Sequence, residues 1–226
     1  MRGRDIKRYK AEFADLWLIN SHNGYRDDNG NYIPPIDINN YTAIKEHLDQ
    51  YWDRLKKRQD KGATPYNLRN CAYIQEFEKE KIVFQEMVHE SSFLYDNKNN
   101  YFCNDTGRII TGKDLKFLVS VLNSNLFFYA IKNFYGGGGL GSKGVRMKHT
   151  FFEYFPIPQI PTPQQKRFID LVETILSKKE AGKDTTAEEQ KIDIMVYKLY
   201  ELTYEEVLII DPNFNLSQQE YENYKV

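Results

Sequence analysis

The sequence predicts an α+β fold, a mixed α/β body over residues 1–160 followed by a helical extension over 161–226. Three observations lead there. Short apolar stretches separated by turn residues crowd the region 73–110. Apolar residues at helical spacing fill 42–61 and 114–134, and beyond Pro161 only helix signals remain. The charge divides at the same place: residues 1–160 carry 23 Lys and Arg against 19 Asp and Glu, a net of +4, whereas 161–226 carry 8 against 13, a net of −5.

The elements follow in order. Arg2 to Lys10 holds five cations and one acid, and Phe13, Leu16, Trp17, Leu18 and Ile19 read as a buried strand. This abrupt opening resembles the middle of a motif, so Met1 is expected to be an imposed start. Residues 20–40 contain Asn-Gly twice and Pro-Pro, the chemistry of turns and hairpins. From Thr42 to Lys61, Ile44, Leu48, Tyr51, Trp52 and Leu55 mark a helix whose end carries Arg54, Lys56, Lys57 and Arg58. That basic end is read as solvated, with DNA contact as the other option.

Strands are expected at Tyr73–Phe77, Lys81–Val88, Phe93–Tyr95, Tyr101–Cys103 and Arg108–Ile110. One helix, apolar nearly all round, is expected from Asp114 to about Phe134 as the centre of the core. Residues 145–155 should return as a strand that Pro156 and Pro158 end. Thr162-Pro163-Gln164-Gln165 reads as a capped helix start, and Gly182 as its stop. Further helices should open near Thr185 or Thr186, at Thr203 with Glu206, and at Ser217 with Glu220.

With 226 residues the chain fits one medium domain, or one with a small appendage. Cys71 and Cys103 match no metal spacing and read as buried free thiols. No apolar run reaches the roughly 18 residues of a membrane span, and MRGRDIKRYK lacks a signal-peptide core. No membrane partner and a cytoplasmic setting are therefore expected.

The stretch FYGGGGLGSKGVRMKHTFFEYFPIPQIP, Phe134 to Pro161, is the most informative. Glycine reaches backbone angles closed to other residues, so Gly138, Gly139 and their neighbours could press main chain against a ligand. Lys143, Arg146 and Lys148, with His149, point to a phosphate-bearing partner. Across 108–149 seven cations face one acid, Asp114, a net of +6. Such an asymmetry indicates one half facing a polyanion and another facing something else.

Motifs for catalysis are wanting. Gly139 to Gly144 matches the dinucleotide fingerprint formally, but its helix precedes it and its strand follows, the reverse of what that fingerprint needs. The histidines, His22, His47, His89 and His149, show no paired metal spacing. Asp5-Ile6-Lys7 and Asp96-Asn97-Lys98 lack a third acid for a nuclease site. Asp211-Pro212-Asn213-Phe214 lacks the second proline of an amino-methylating motif. The chain alone is expected not to be an enzyme, with no catalytic, metal or cofactor-binding residues.

Several pieces in order resemble the TaqI-like C-terminal specificity domain of fused type II restriction–methylation enzymes. They are Gly3-Arg4-Asp5-Ile6-Lys7-Arg8-Tyr9, Lys81 to Glu86 (KIVFQE), Leu118 to Asn125 (LVSVLNSN), and Phe155-Pro156-Ile157-Pro158 followed by Gln164-Gln165. Ile192 to Val207 is similar to the helical tail common in these enzymes. One departure is Pro65-Tyr66-Asn67-Leu68, where relatives often carry a Trp-Tyr pair. The resemblance implies a target-recognition domain for double-stranded DNA, a fragment of an N6-adenine DNA methyltransferase that can also carry an endonuclease. The partner would be an N-terminal methyltransferase domain of the same protein, which would hold S-adenosylmethionine.

On that reading Lys143 and Lys148 meet phosphates while Arg146 or His149 reaches a base edge. Lys7 and Arg8 are secondary phosphate contacts. Gln85 either reads a base by its amide or is a structural strand residue. Phe151 to Phe155 are core, with Tyr154 alone near a groove. The alternative from another class is a protein–protein interaction module with an acidic helical docking tail; a stand-alone nuclease ranks behind both.

Overall fold

The computed structural model describes residues 1–97, 101–135 and 144–225, without the side chain of His149. It is an α+β structure, and it divides into two compact units: residues 1–14 with 80–226, and residues 15–79.

In the first unit a three-stranded antiparallel sheet has β5 (Lys81–Gln85) at its centre, flanked by β7 (Phe93–Asp96) and β8 (Gly107–Thr111). The apolar run Ile82-Val83-Phe84 is buried on both faces, as a covered central strand should be. Register is pinned by two cross-strand pairs. Phe84 lies opposite Phe93 with rings stacked 5.2 Å apart, and Lys81 lies opposite Asp96 in an ion pair of 2.7 Å. A short pair, β1 (Ile6–Lys7) and β2 (Lys10–Ala11), precedes it, and β6 (Met87–Val88) pairs with β9 (Val145–Arg146).

The helix expected over 114–134 is instead two, α3 (Leu115–Leu122) and α4 (Asn125–Ala130), followed by a π turn at Ile131–Tyr135. The break has a cause. The Asn123 amide reaches the sheet, donating to the Phe93 carbonyl and accepting from the Phe93 N–H, both at 2.9 Å. Ser124 then caps the new helix by accepting from the Phe127 amide. The expected strand over 145–155 is β9 and then a short helix, α5 (His149–Phe152). Its aromatics turn inward instead of alternating: Phe152 and Phe155 pack on Phe127 at 6.0 and 5.1 Å. Tyr154 is 72% exposed. No strand forms at 101–103 either.

The carboxy-terminal helices α6 (Thr162–Glu180), α7 (Thr186–Leu199), α8 (Tyr204–Ile210) and α9 (Gln218–Glu222) share one core with the sheet, through Phe168, Val172, Ile175, Ile192, Val196, Tyr197, Val207 and Tyr221. Gly182, at a φ of +66°, ends α6 as expected. Capping boxes hold at Thr203 and Ser217. Thr162 is not a cap: it is already helical, behind Pro161, and the Gln165 side chain donates to the Ile160 carbonyl at 3.1 Å.

The second unit contains the hairpin β3 (Tyr25–Arg26) and β4 (Tyr32–Ile33), with helices α1 (Thr42–Asp49) and α2 (Trp52–Leu55). Asp27 closes the hairpin by accepting from the amides of Asn29 and Asn31. The apolar run 13–19 is not the expected buried strand: it forms no strand, and Phe13, Leu16, Trp17 and Leu18 are exposed. The strand expected at Tyr73–Phe77 does not form either; Ile74–Glu78 is a 3₁₀ turn.

Candidate nucleic-acid interface

The end of β5 delivers the candidate site. Past Gln85, the chain places Glu86 between two strands of different origin. β8 brings Arg108, and the β6–β9 pair brings Arg146 opposite Met87. The Met147 amide donates to the Glu86 carbonyl at 2.6 Å, which fixes β9 in register. Both guanidiniums then close on one carboxylate: Arg108 Nη2 to Glu86 Oε2 at 2.7 Å, and Arg146 Nε to Glu86 Oε1 at 3.0 Å. Glu86 is mostly covered, its side chain 14% exposed, while those of Arg108 and Arg146 are 40% and 45% exposed.

The two arginines are held differently. Arg108 also donates through Nη1 to the Asp105 and Gly107 carbonyls, at 2.5 and 3.0 Å. Arg146 is gripped only through Nε, and its two terminal nitrogens make no hydrogen bond among the described residues. A guanidinium held at Nε keeps two outer nitrogens that can engage two acceptors at once, the pattern of guanine O6 and N7 or of a phosphate. Shared ion pairs at this exposure contribute little stability individually, so the value of the arrangement lies in orientation.

The other expected residues are distributed around this fork. Lys148 is half-buried two residues along from Arg146. Gln85 is half-buried, its amide beside Gly3: a Cβ added there would come within 3.3 Å of Gln85 Oε1. Gly138, Gly139 and Lys143 lie outside the described residues, as does the His149 side chain. Lys7 and Arg8 are grouped elsewhere, along a cleft of 510 Å³ lined also by Lys179, Lys183, Glu189 and Asp193. Lys7 is half-exposed and 3.6 Å from Glu12. Arg8 is more committed, with Nε 2.7 Å from Glu189 and Nη2 3.9 Å from Asp193 on α7. A phosphate there would compete with two carboxylates. Burial pushes the Asp193 carboxyl up to about 6, against the pull of Arg8 and a hydrogen bond from the Asn125 amide.

Sequence reasoning missed Arg108 and Glu86 as members of the site. Arg108 was visible only as one of seven cations in 108–149. Nothing in spacing links position 86 to 108 or 146; strand pairing does. Among the described residues no group of three or more His, Cys, Asp or Glu is placed to hold a metal, and no helix is long and apolar enough to cross a membrane. Cys71 and Cys103 are free thiols, half-buried where full burial was expected.

Comparison with curated proteins returns no match. The family model described as TaqI-like C-terminal specificity domain matches residues 1–157, which include β5, Glu86, Arg108 and Arg146. A match over more than half its length makes this chain a member of the TaqI-like C-terminal specificity domain family.

Proposed function

We propose that this chain is the sequence-specific DNA-recognition domain of a restriction–modification enzyme. It holds duplex DNA for an N-terminal adenine-specific methyltransferase domain of the same protein, with or without a fused endonuclease. S-adenosylmethionine would be held in that catalytic domain, which would take its target base out of the stack. The observation that carries the reading is the Glu86 clamp. It presents a pre-oriented Arg146 fork at the rim of a segment with a net charge of +6, in a chain of this family. Arg146 is assigned to a base edge, with His149 beside it in sequence. Lys143 and Lys148 are assigned to phosphates, with Lys7 as a more remote contact and Arg8 shared with Glu189. Gly138 and Gly139 would allow main chain to approach the duplex.

The test selects bound sequences from a random duplex pool with the parent chain and with Arg146→Ala. The parent should enrich a defined motif, and the variant should lose preference at a guanine of that motif, by about 1–3 kcal/mol. A parent that enriches no motif and binds with little salt dependence would overturn the reading in favour of a protein-docking module.

A further inference from the structure

The basic end of α2 is not used by the Arg146 fork and stands in the other compact unit. Residues 50–73 carry six cations, Arg54, Lys56, Lys57, Arg58, Lys61 and Arg69, against two acids, Asp53 and Asp60, a net of +4. One acid is already engaged, since Asp53 pairs with Lys56 at 2.6 Å. Arg54, Lys57 and Arg69 are exposed, and none makes a side-chain ion pair among the described residues. Charge density of this kind, left without internal partners, is what attracts a phosphodiester chain.

The surface also has a built depression. A cleft of 330 Å³ is lined by Arg58, Asp60, Arg69, Asn70 and Tyr73, among others. Arg58 is anchored from behind, its Nη2 donating to the Asn67 carbonyl at 2.5 Å. Asn67 itself is 1% exposed and fixed by its side chain to the His22 and Ile36 carbonyls. The Arg58 Nε, buried, has no acceptor among the described residues. Tyr73 is 59% exposed at the rim, with a hydroxyl able to donate to a phosphate oxygen.

We propose that residues 54–73 form a second phosphate-contact surface for duplex DNA, independent of sequence, built on Arg54, Lys57, Arg58 and Arg69. It rests on the DNA-recognition reading above. It adds affinity, while the choice of sequence stays with Arg146. Phosphate contacts set position and strength without reading bases, so the two surfaces divide the work by chemistry.

The experiment measures binding of the whole chain to a random-sequence duplex of about 30 base pairs across a salt series. The parent is compared with R54Q/K57Q/R69Q and with the charge-preserving R54K/K57R/R69K. If the proposal holds, the neutral variant shows a log K against log salt slope shallower by about 2–3, nearly one per lost phosphate contact. The charge-preserving variant keeps the parent slope, and the motif selected from a random pool is unchanged in both. A neutral variant with the parent's slope, or a charge-preserving variant that loses as much as the neutral one, overturns this surface while leaving the Arg146 reading intact. A parent that binds no duplex at any salt overturns both.

Discussion

The two compact units are ordered by different forces. The unit of residues 1–14 and 80–226 is built around an apolar core in which Ile82, Phe84, Phe93, Phe127, Phe168, Val196 and Tyr197 are essentially sealed from solvent. In residues 15–79 the buried hydrophobic side chains are two, Ile38 and Phe77, and the most buried side chain is the polar Asn67. Its amide uses its full capacity, donating to the His22 and Ile36 carbonyls and accepting from the Thr64 amide and hydroxyl. Burial of apolar area gives non-directional cohesion, whereas a satisfied amide fixes particular loops in particular places. One unit therefore resists disruption broadly, and the other depends on a single polar centre.

The comparison can be broken first where the apolar unit holds a sealed charge pair. Lys81 and Asp96 are 0% and 2% exposed, so Lys81→Ala removes the cation facing a buried carboxylate that still accepts from the Tyr101 amide. Stability should fall by about 3–5 kcal/mol in denaturant unfolding, whereas a paired hydrophobic replacement of both residues should recover much of it. Next comes Asn67→Ala. Losing its hydrogen bonds should cost about 2–3 kcal/mol, and native-state hydrogen exchange should show faster amides across 20–70 with unchanged protection in β5 and α4. Equal acceleration in both units would erase the distinction drawn here.

The smallest effect sharpens the picture inside the first unit. The Asp193 carboxyl sits at about 6 in the folded chain, above the ordinary 3.8, because burial favours its neutral form. The stability this contributes is fully present below the unfolded value and is lost as pH rises through about 6. Asp193→Asn should keep the hydrogen bond from the Asn125 amide and flatten stability between about pH 4 and 6. Above that window it should raise stability by about 1 kcal/mol, as read by thermal melts over pH. A variant whose melts retain the parent's slope in that window would remove Asp193 as its source.

Much of the first unit was legible because its signals are local. Ile82-Val83-Phe84 and Phe93-Leu94-Tyr95 are apolar runs between turns, and Thr203 with Glu206 is a capping box within one helical turn. What escaped depends on distant partners. Asn123 breaks the helix only because Phe93, 30 residues earlier, offers it both backbone groups. The face of Ile44, Leu48, Tyr51, Trp52 and Leu55 has helical spacing, yet α1 buries none of its residues, so periodicity there did not report a core. Pro65 to Leu68 stood out in sequence only as a departure from relatives; its Asn67 is the hub of that unit. The candidate site was half visible: Arg146 and Lys148 showed as charge beside glycines, while Glu86 stood inside the expected strand Lys81–Val88 with no role of its own.

Glu86 has one more consequence. Because a single carboxylate aims two guanidiniums, substitutions at 108 and 146 are coupled, and their effects should not add. A change at 86 would release both arms together, so if Arg146 reads a base as proposed, a lineage could move to a new recognition sequence by one step at a residue that itself never needs to touch a base.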